Sequence, residues 1–161
     1  MPVGVEERSH WTTFNNGSPT IPLDYLEQGH DITPCKNKVP IVSNWQQRKI
    51  GKEEWQKQYI SLNIGLKLGG KSDIDIDNHV VKKFISRYLK SCGAIYGRKS
   101  NPRSHYLFLG ELKSKIFVMP QELKEYCKDF PHGNTLLEIR SGNGHQSIAP
   151  GSIVEGEDVV W

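Results

Sequence analysis

Hydrophobic positions along the chain switch between a two-residue spacing and a three-to-four-residue spacing. The first is typical of strands, whose side chains change face at every residue, and the second of helices. The alternation predicts strands over residues 63–68, 72–77, 94–96, 105–109, 116–118, 135–140, 145–149 and 158–161. The helical spacing predicts helices over residues 21–28, 51–59, 80–91 and 120–127. Strands interspersed with short helices are compatible with an α+β fold.

Glycine-rich turns separate several of these elements. Residues 69–70 are expected to turn the chain tightly into the strand that follows, and residues 142–144 carry the signal of a hairpin between two strands. In the helix over residues 51–59, Trp55 and Tyr59 fall four positions apart on one face, which favours a place in the core.

The predicted strand over residues 72–77 carries three alternating aspartates. Asp73, Asp75 and Asp77 share one face, and Ile74 and Ile76 are expected to face the core on the other. Like charges on one strand face repel, so a cation should offset them. Carboxylate oxygens are ligands that Mg²⁺ and Mn²⁺ prefer. The alternative is an acidic strand that is simply solvated.

Two further assignments at this strand stay open. Asp77 or Asn78 could cap the helix that follows. If Asp77 is only a cap, two aspartates remain for a metal ion.

A basic loop precedes one of the later strands. Residues 97–104 contain Arg98, Lys99 and Arg103, and Ser104 leads directly into His105 at the start of the strand. Cationic side chains on a glycine-containing loop are suited to phosphate. His105 alone would favour a core histidine, but its position after this loop favours a functional role.

A second acidic strand lies near the carboxyl end of the chain. Alternation over residues 135–140 places Glu138 and Arg140 on one face, with Leu137 and Ile139 on the other. A separate pair of cations, Lys36 and Lys38, flanks an asparagine in a predicted turn. The pair is either ordinary solvated surface or a contact for the phosphates of DNA.

Composition narrows the class of protein. The chain has 161 residues, of which 36% are hydrophobic and 24% charged, and its formal net charge is +3. This length is enough for one domain with a real core, and the charge permits a nucleic-acid partner without requiring one. Three cysteines without a CxxC pair argue against a zinc knuckle or a disulfide framework. No apolar run reaches membrane-spanning length, and we see no signal peptide.

These observations define an expected domain organisation. Residues 1–19 read as a polar leader, and residues 20–161 as one catalytic domain. We expect this domain to be excised from a longer replication protein, since the chain ends on a bulky aromatic residue.

The order of these motifs resembles the primase–polymerase (Prim-Pol) domains of the archaeo-eukaryotic primase superfamily, and the phage and plasmid branch in particular. The residues that carry the resemblance are Asp75-Ile76-Asp77, Arg103-Ser104-His105, Leu137-Glu138, Gly144-His145-Gln146 and Pro150-Gly151-Ser152. The resemblance covers roughly residues 21–161. The sequence departs from the family at Glu138, where aspartate is frequent, and at Gly151, where many relatives have proline.

The resemblance implies an α+β domain with an RRM-like antiparallel or mixed sheet as catalytic core and a small N-terminal α/β unit. It implies a DNA-dependent nucleotidyltransferase, a DNA primase or polymerase that uses Mg²⁺ or Mn²⁺. The metal ligands would be Asp75, Asp77 and Glu138, with Asp73 as a further ligand or a support. The nucleotide site would comprise His105, which would donate to a β- or γ-phosphate oxygen, together with Arg103, Ser104, Arg98, Lys99 and Arg140.

The implied partners are a DNA template and dNTP or NTP, together with a replicative helicase in the same polypeptide or operon, and no membrane. The expected location is the cytoplasm of a bacterial, archaeal or phage-infected cell. Two other functions stay open. A metal-dependent nuclease would use the same carboxylates for hydrolysis, and a nucleotide- or nucleic-acid-binding module with a degenerate site would bind without turnover.

Overall fold

The computed structural model describes residues 19–85, 87–89, 94–124 and 134–161. The helices are α1 (Pro22–Glu27), α2 (Lys52–Gln58), α3 (His79–Ile85) and α4 (Gln121–Lys124). The strands are β1 (Ile32–Lys36), β2 (Val39–Pro40), β3 (Asn63–Lys67), β4 (Lys71–Asp75), β5 (Ala94–Arg98), β6 (His105–Leu109), β7 (Lys115–Val118), β8 (Thr135–Ser141), β9 (Gln146–Ile148), β10 (Ile153–Val154) and β11 (Glu157–Val160).

These strands form two antiparallel sheets. One has the order β2-β1-β3-β9, and the other has the order β10-β11-β5-β6-β4-β8-β7. The α+β class is therefore confirmed, with mostly antiparallel strands and few, short helices. β4 lies between β6 and β8, so the acidic strand is central in the larger sheet.

The chain crosses between the two sheets at two neighbouring places, from β3 to β4 and from β8 to β9. The Leu68 amide donates to the His145 carbonyl at 3.1 Å, and the Gly142 amide donates to the Leu68 carbonyl at 3.2 Å, where β3 leads into β4 and β8 into β9. The predicted turn before β4 is confirmed by a hydrogen bond from the Lys71 amide to the Leu68 carbonyl at 2.9 Å. The hairpin prediction at 142–144 was wrong, because β9 pairs with β3 rather than with β8. Both sides of β8 are already paired, with β4 and β7.

The hydrophobic core draws side chains from the four-stranded sheet, from α1 and α2, and from β5, β6 and β11. Its largest members include Tyr25, Trp55 and Tyr96, and each is almost completely buried. Trp55 is in the core as predicted, and Tyr59 packs against it in an edge-on arrangement with ring centroids 6.0 Å apart.

The two faces of β4 differ from the expectation. Ile76 is fully buried as predicted, but Ile74 is only half-buried, whereas Asp73 has no exposed surface. The prediction that the aspartate face points away from the core was therefore wrong at Asp73. The reason is that Ser147 of β9 contacts Asp73, so the second sheet covers this end of the aspartate face.

The connection from β4 to α3 settles the choice of cap. The Asn78 side-chain oxygen accepts hydrogen bonds from the amides of Val80 and Val81, each at 3.0 Å. Asn78 is therefore the cap, and Asp77 keeps its carboxylate for other contacts. Residues 1–18 of the predicted leader over 1–19 and residues 125–127 of the helix predicted over 120–127 lie outside the described residues. The helix predicted over 80–91 is shorter than expected, because α3 ends at Ile85 and residues 87–89 are not helical, while residues 86, 90 and 91 lie outside the described residues.

Candidate active site

Strand register places three of the predicted site residues in one row. Asp75 on β4 is the partner of His105 on β6 and of Glu138 on β8. Directly opposed residues on neighbouring strands point to the same face of a sheet. Residues about 30 and 60 positions away from Asp75 in the sequence are thus brought to its two sides.

A second row lies one step further along β4. Asp73 is the register partner of Arg140, and the Arg140 guanidinium bridges the two rows. Its Nη2 donates to Asp73 Oδ2 at 3.2 Å and to Asp75 Oδ2, and its Nε lies 3.8 Å from Glu138 Oε2. The cation that offsets the repulsion between the aspartates is therefore Arg140 in this structure. Arg140 is largely buried, but the carboxylates outweigh this burial and raise its pKa.

Asp73 is held by donors from three strands. His105 Nδ1 lies 3.0 Å from Asp73 Oδ2, and Ser147 Oγ donates to the same oxygen at 2.7 Å, in addition to Arg140. Burial would raise the pKa of Asp73, but the charges of His105 and Arg140 and the hydrogen bonds lower it overall. Asp73 is therefore an ionised carboxylate without exposed surface.

The ring of His105 lies between the two aspartates. While Nδ1 faces Asp73, Nε2 lies 3.6 Å from Asp75 Oδ1. The Tyr96 ring stacks on the imidazole, with centroids 4.7 Å apart and planes within 8° of parallel. Burial would lower the pKa of His105, but the carboxylates of Asp73 and Asp75 outweigh burial and raise it. The electrostatics therefore favour an imidazolium, which carries a proton on each ring nitrogen.

Asp75 faces the opposite electrostatic situation to Asp73. Burial is the largest influence and raises its pKa, together with the neighbouring charges of Asp73 and Asp77, while His105 and Arg140 act in the other direction. Its Oδ1 is buried and has no hydrogen-bond partner among the described residues. A bound cation stabilises a carboxylate in this state, because the free oxygen can coordinate the cation and the two charges are opposite.

The donors around Asp75 fit a hard divalent cation in chemistry. Asp75 and Glu138 are register partners on neighbouring strands, and carboxylate oxygens are the ligand type of Mg²⁺ and Mn²⁺. Asp77 is exposed beyond the end of β4, where its Oδ1 lies 3.4 Å from Asn101 Nδ2. Within the described ranges, no three or more His, Cys, Asp or Glu side chains are gathered as a ready cation cage. Asp75 and Glu138 are thus neighbours in the sheet, and Asp77 follows beyond the end of the strand.

The basic loop packs against the connection after β4. Asn101 donates to the Ile76 carbonyl at 3.4 Å, and the Lys82 ammonium donates to Asn101 Oδ1 at 2.5 Å. A side chain on Gly97 would place its Cβ only 2.5 Å from the Asn101 carbonyl oxygen. Glycine is therefore required where the loop folds back on β5.

The predicted phosphate-binding residues of this loop separate into two groups. Ser104 is buried, and its carbonyl accepts a hydrogen bond from the Ile76 amide at 2.8 Å, which places it beside the acidic strand. Exposed Arg103 precedes it with a φ of 54°. Arg98 instead forms an ion pair with Glu155 at 2.6 Å. Lys99, which lies between Arg98 and Arg103 in the sequence, is exposed.

Lys36 and Lys38 are exposed at the turn between β1 and β2, in the smaller sheet. The turn was predicted, and Asn37 between the lysines has a φ of 53°. The Gln146 side chain donates to the Lys38 carbonyl at 2.9 Å, which fixes this turn to β9. The structure does not bring this pair into the row of Asp75.

Sequence reasoning missed two residues of the site. Ser147 and Tyr96 both lie on predicted strands, but neither belongs to a motif. Tyr96 is brought to His105 by the pairing of β5 with β6, and Ser147 is brought to Asp73 by the contact between the sheets. Alternation alone gave no signal for either contact, because it does not specify which strands are neighbours.

The fold and this site define an α+β domain with an acidic, arginine- and histidine-containing centre suited to phosphate chemistry. The family model described as "Bifunctional DNA primase/polymerase, N-terminal", named Prim-Pol, matches residues 22–161. The chain therefore belongs to the Prim-Pol family, and the resemblance seen in the sequence is confirmed. A comparison with curated proteins gives no match.

Membership of this family indicates primase or polymerase activity, with DNA and nucleotides as substrates. Enzymes of the family generally depend on divalent metal ions. Within the described part of the chain, none of the helices has the length and apolar character needed to cross a membrane.

Proposed function

We propose that residues 20–161 form the catalytic domain of a DNA primase/polymerase that adds nucleotides to a strand on a DNA template, in the replication of a phage or plasmid. The observation that carries the proposal is the row of Asp75, His105 and Glu138 on three adjacent strands. In this row, Asp75 and Glu138 would bind metal ions, and His105 would donate a hydrogen bond to phosphate. The larger sheet would be the RRM-like catalytic core, and the smaller sheet with α1 and α2 the N-terminal unit.

In this proposal Asp75, Asp77 and Glu138 hold Mg²⁺ or Mn²⁺. When bound, two such cations would stabilise the charge that develops on the attacking 3′-hydroxyl and the leaving pyrophosphate. Arg140 holds the carboxylates of Asp75 and Glu138 on one side of the sheet and limits their mutual repulsion. Asp73 supports this arrangement from its buried position.

His105 acts on the triphosphate. Its Nε2 faces the Asp75 side, and the raised pKa keeps a proton on that nitrogen for donation to a β- or γ-phosphate oxygen. Arg103, Ser104 and Lys99 would bind the same triphosphate from the adjacent loop. Arg98 would join them by exchanging Glu155 for a phosphate oxygen, since Glu155 is exposed and can be displaced.

Primer extension tests the proposal. A 5′-labelled primer on a longer template is incubated with the protein, Mn²⁺ or Mg²⁺, and either dNTPs or NTPs. Template-directed lengthening that is lost in Asp75→Asn, but kept in the matched exposed-strand variant Asp158→Asn, is the expected result. A template without primer then tests priming.

Two other results contradict the proposal in different ways. Shortening of the DNA without added nucleotides would identify a nuclease. Nucleotide binding without extension under any metal and nucleotide condition would identify a binding module.

A further inference from the structure

Four side chains from four strands contact one another in a closed ring that includes His105, the candidate hydrogen-bond donor to phosphate. Asp73 Oδ2 lies 3.0 Å from His105 Nδ1 and accepts a hydrogen bond from Ser147 Oγ at 2.7 Å. The Tyr96 hydroxyl lies 2.6 Å from Ser147 Oγ, and the Tyr96 ring stacks on the His105 ring. Each member of the set thus contacts two others.

Only one member of this set reaches the surface. Asp73, Tyr96 and Ser147 have no exposed surface, while 20% of the His105 side chain is exposed. Three wholly buried side chains do not contact a nucleotide from where they stand. Tyr96 contacts the exposed part of the site through His105, and Asp73 contacts both His105 and Arg140.

The contacts also fix which ring nitrogen is presented. The bond to Asp73 engages Nδ1, and stacking on Tyr96 sets the plane of the ring, so rotation of the imidazole would break one contact or the other. Nε2 is left on the side of Asp75. An imidazole with one nitrogen anchored by a carboxylate is held in a defined orientation.

We propose that Asp73, Ser147 and Tyr96 are positioning residues that orient His105 so that its Nε2 faces the triphosphate of the incoming nucleotide. Ser147 belongs to β9 in the smaller sheet, whereas the other three residues belong to the larger sheet. The orientation of His105 is therefore set by the packing of one sheet on the other. The inference rests on the proposed function for the role of His105, but its structural part can be tested without it.

A direct role of Asp73 as a metal ligand is the competing interpretation. Oδ2 already has three donors, from His105, Ser147 and Arg140, and the whole residue is buried. A cation at Oδ2 would replace those donors, whereas Oδ1 is buried and has no hydrogen-bond partner among the described residues. The three donors on Oδ2 favour the positioning role. Measurements on metal-free protein separate the two roles, because a metal ligand has no part in orienting His105 when no metal is bound.

The first arm of the test uses Ser147→Ala and Tyr96→Phe, each of which removes only a hydroxyl group. The matched control is Tyr106→Phe, which removes a buried hydroxyl that has no hydrogen-bond partner among the described residues. We expect the KM for nucleotide to rise about tenfold in Ser147→Ala, the loss typical of one hydrogen bond to a charged group, and less in Tyr96→Phe. kcat should change less than KM, and the control should match the native protein.

The same variants are then made in a His105→Ala background. Residues that act only through His105 should have no further effect once His105 is absent, because coupled residues are not additive. A KM penalty for Ser147→Ala that persists in full without His105 would overturn the proposal and indicate a merely structural role.

The second arm does not depend on activity. In metal-free buffer, the proton on His105 Nδ1 is followed by ¹H–¹⁵N NMR in the native protein. We expect a downfield, slowly exchanging signal whose exchange accelerates at least tenfold in Ser147→Ala and is unchanged in Tyr106→Phe. An unchanged His105 signal in Ser147→Ala and Tyr96→Phe would contradict the proposal. If the native protein extends no primer, the proposed function fails, while this NMR arm still decides whether the three residues position His105.

Discussion

Two aspartates on the same face of β4 have opposite relations to their surroundings. Asp73 has a lowered pKa and three donors, whereas Asp75 has a raised pKa because burial is its largest influence. We expect Asp73→Asn to reduce the free energy of unfolding by about 3 kcal/mol, the effect of breaking a buried charged pair. Asp75→Asn should leave it unchanged or higher, because a poorly compensated buried charge is removed.

Urea denaturation of the two variants, in buffer with a chelator, measures this contrast. Asp158→Asn, at an exposed position of β11, is the control for an aspartate change in a strand. Equal losses in Asp73→Asn and Asp75→Asn would show that both carboxylates are equally important to the folded state and would contradict the contrast.

The raised pKa of His105 predicts how stability depends on pH. A group whose pKa is higher in the folded state binds protons more tightly there, so its stabilising contribution is complete below its unfolded pKa of about 6.5. The contribution is lost as the pH rises above that value and through the folded-state pKa. The native protein should therefore lose more stability than His105→Asn between pH 6 and pH 9.

Chemical denaturation at several pH values, without metal, gives both curves. If the two proteins show the same slope of stability against pH, the imidazolium does not stabilise the fold.

At the scale of elements, the basic loop depends on the absence of a side chain at Gly97. A Cβ there would lie 2.5 Å from the Asn101 carbonyl oxygen and 2.7 Å from the Arg103 amide nitrogen, so backbone has to move. We expect Gly97→Ala to lower the free energy of unfolding by about 2 kcal/mol, within the usual cost of overpacking. It should also raise the KM for nucleotide, since Arg103 and Ser104 are displaced with the loop.

Gly144→Ala is the matched control, because nothing lies within 4 Å of a Cβ built at Gly144. Thermal unfolding and steady-state kinetics measure the two effects separately. A Gly97→Ala protein with native stability and native KM would show that the loop accommodates the methyl group without displacing its cations.

The elements show which parts of the molecule can be predicted from the sequence. Alternation and glycine turns are local, and they predicted the acidic strand, the basic loop and the strand of Glu138. Strand pairing is not local, so the turn at 142–144 indicated a reversal of the chain but not that β9 would pair with β3. For the same reason the contacts of Ser147 and Tyr96 were missed, and Asp73 was assigned to an outward face.

At the scale of the whole molecule, the site depends on both sheets. The row of Asp75, His105 and Glu138 lies within the larger sheet, but the residue that joins Asp73 to Tyr96 comes from the smaller one. Local patterns were sufficient for the first part, because motif residues fall on strands that become neighbours. The contacts of Ser147 with Asp73 and Tyr96 depend on how the two sheets pack, which the spacing of hydrophobic residues does not predict.

The charge of the whole chain also bears on its use of DNA. With a net charge of +3, binding to the template has to come from cations gathered locally, and Lys36 and Lys38 form an exposed pair at the β1–β2 turn. Neutralising a phosphate releases counterions, so each lysine that contacts DNA adds about one to the slope of log K against log salt. We therefore expect the double variant Lys36→Ala/Lys38→Ala to weaken template binding and to reduce this slope by about two.

Fluorescence anisotropy of a labelled template, titrated at several salt concentrations, gives both quantities. Lys57→Ala on α2 is the control, since it removes an exposed lysine that pairs only loosely with Glu53, at 3.7 Å. If the double variant and the control have the same slope, the β1–β2 turn does not contact the template. Binding would then have to be carried by cations of the basic loop, and removing Arg103 should reduce the slope instead.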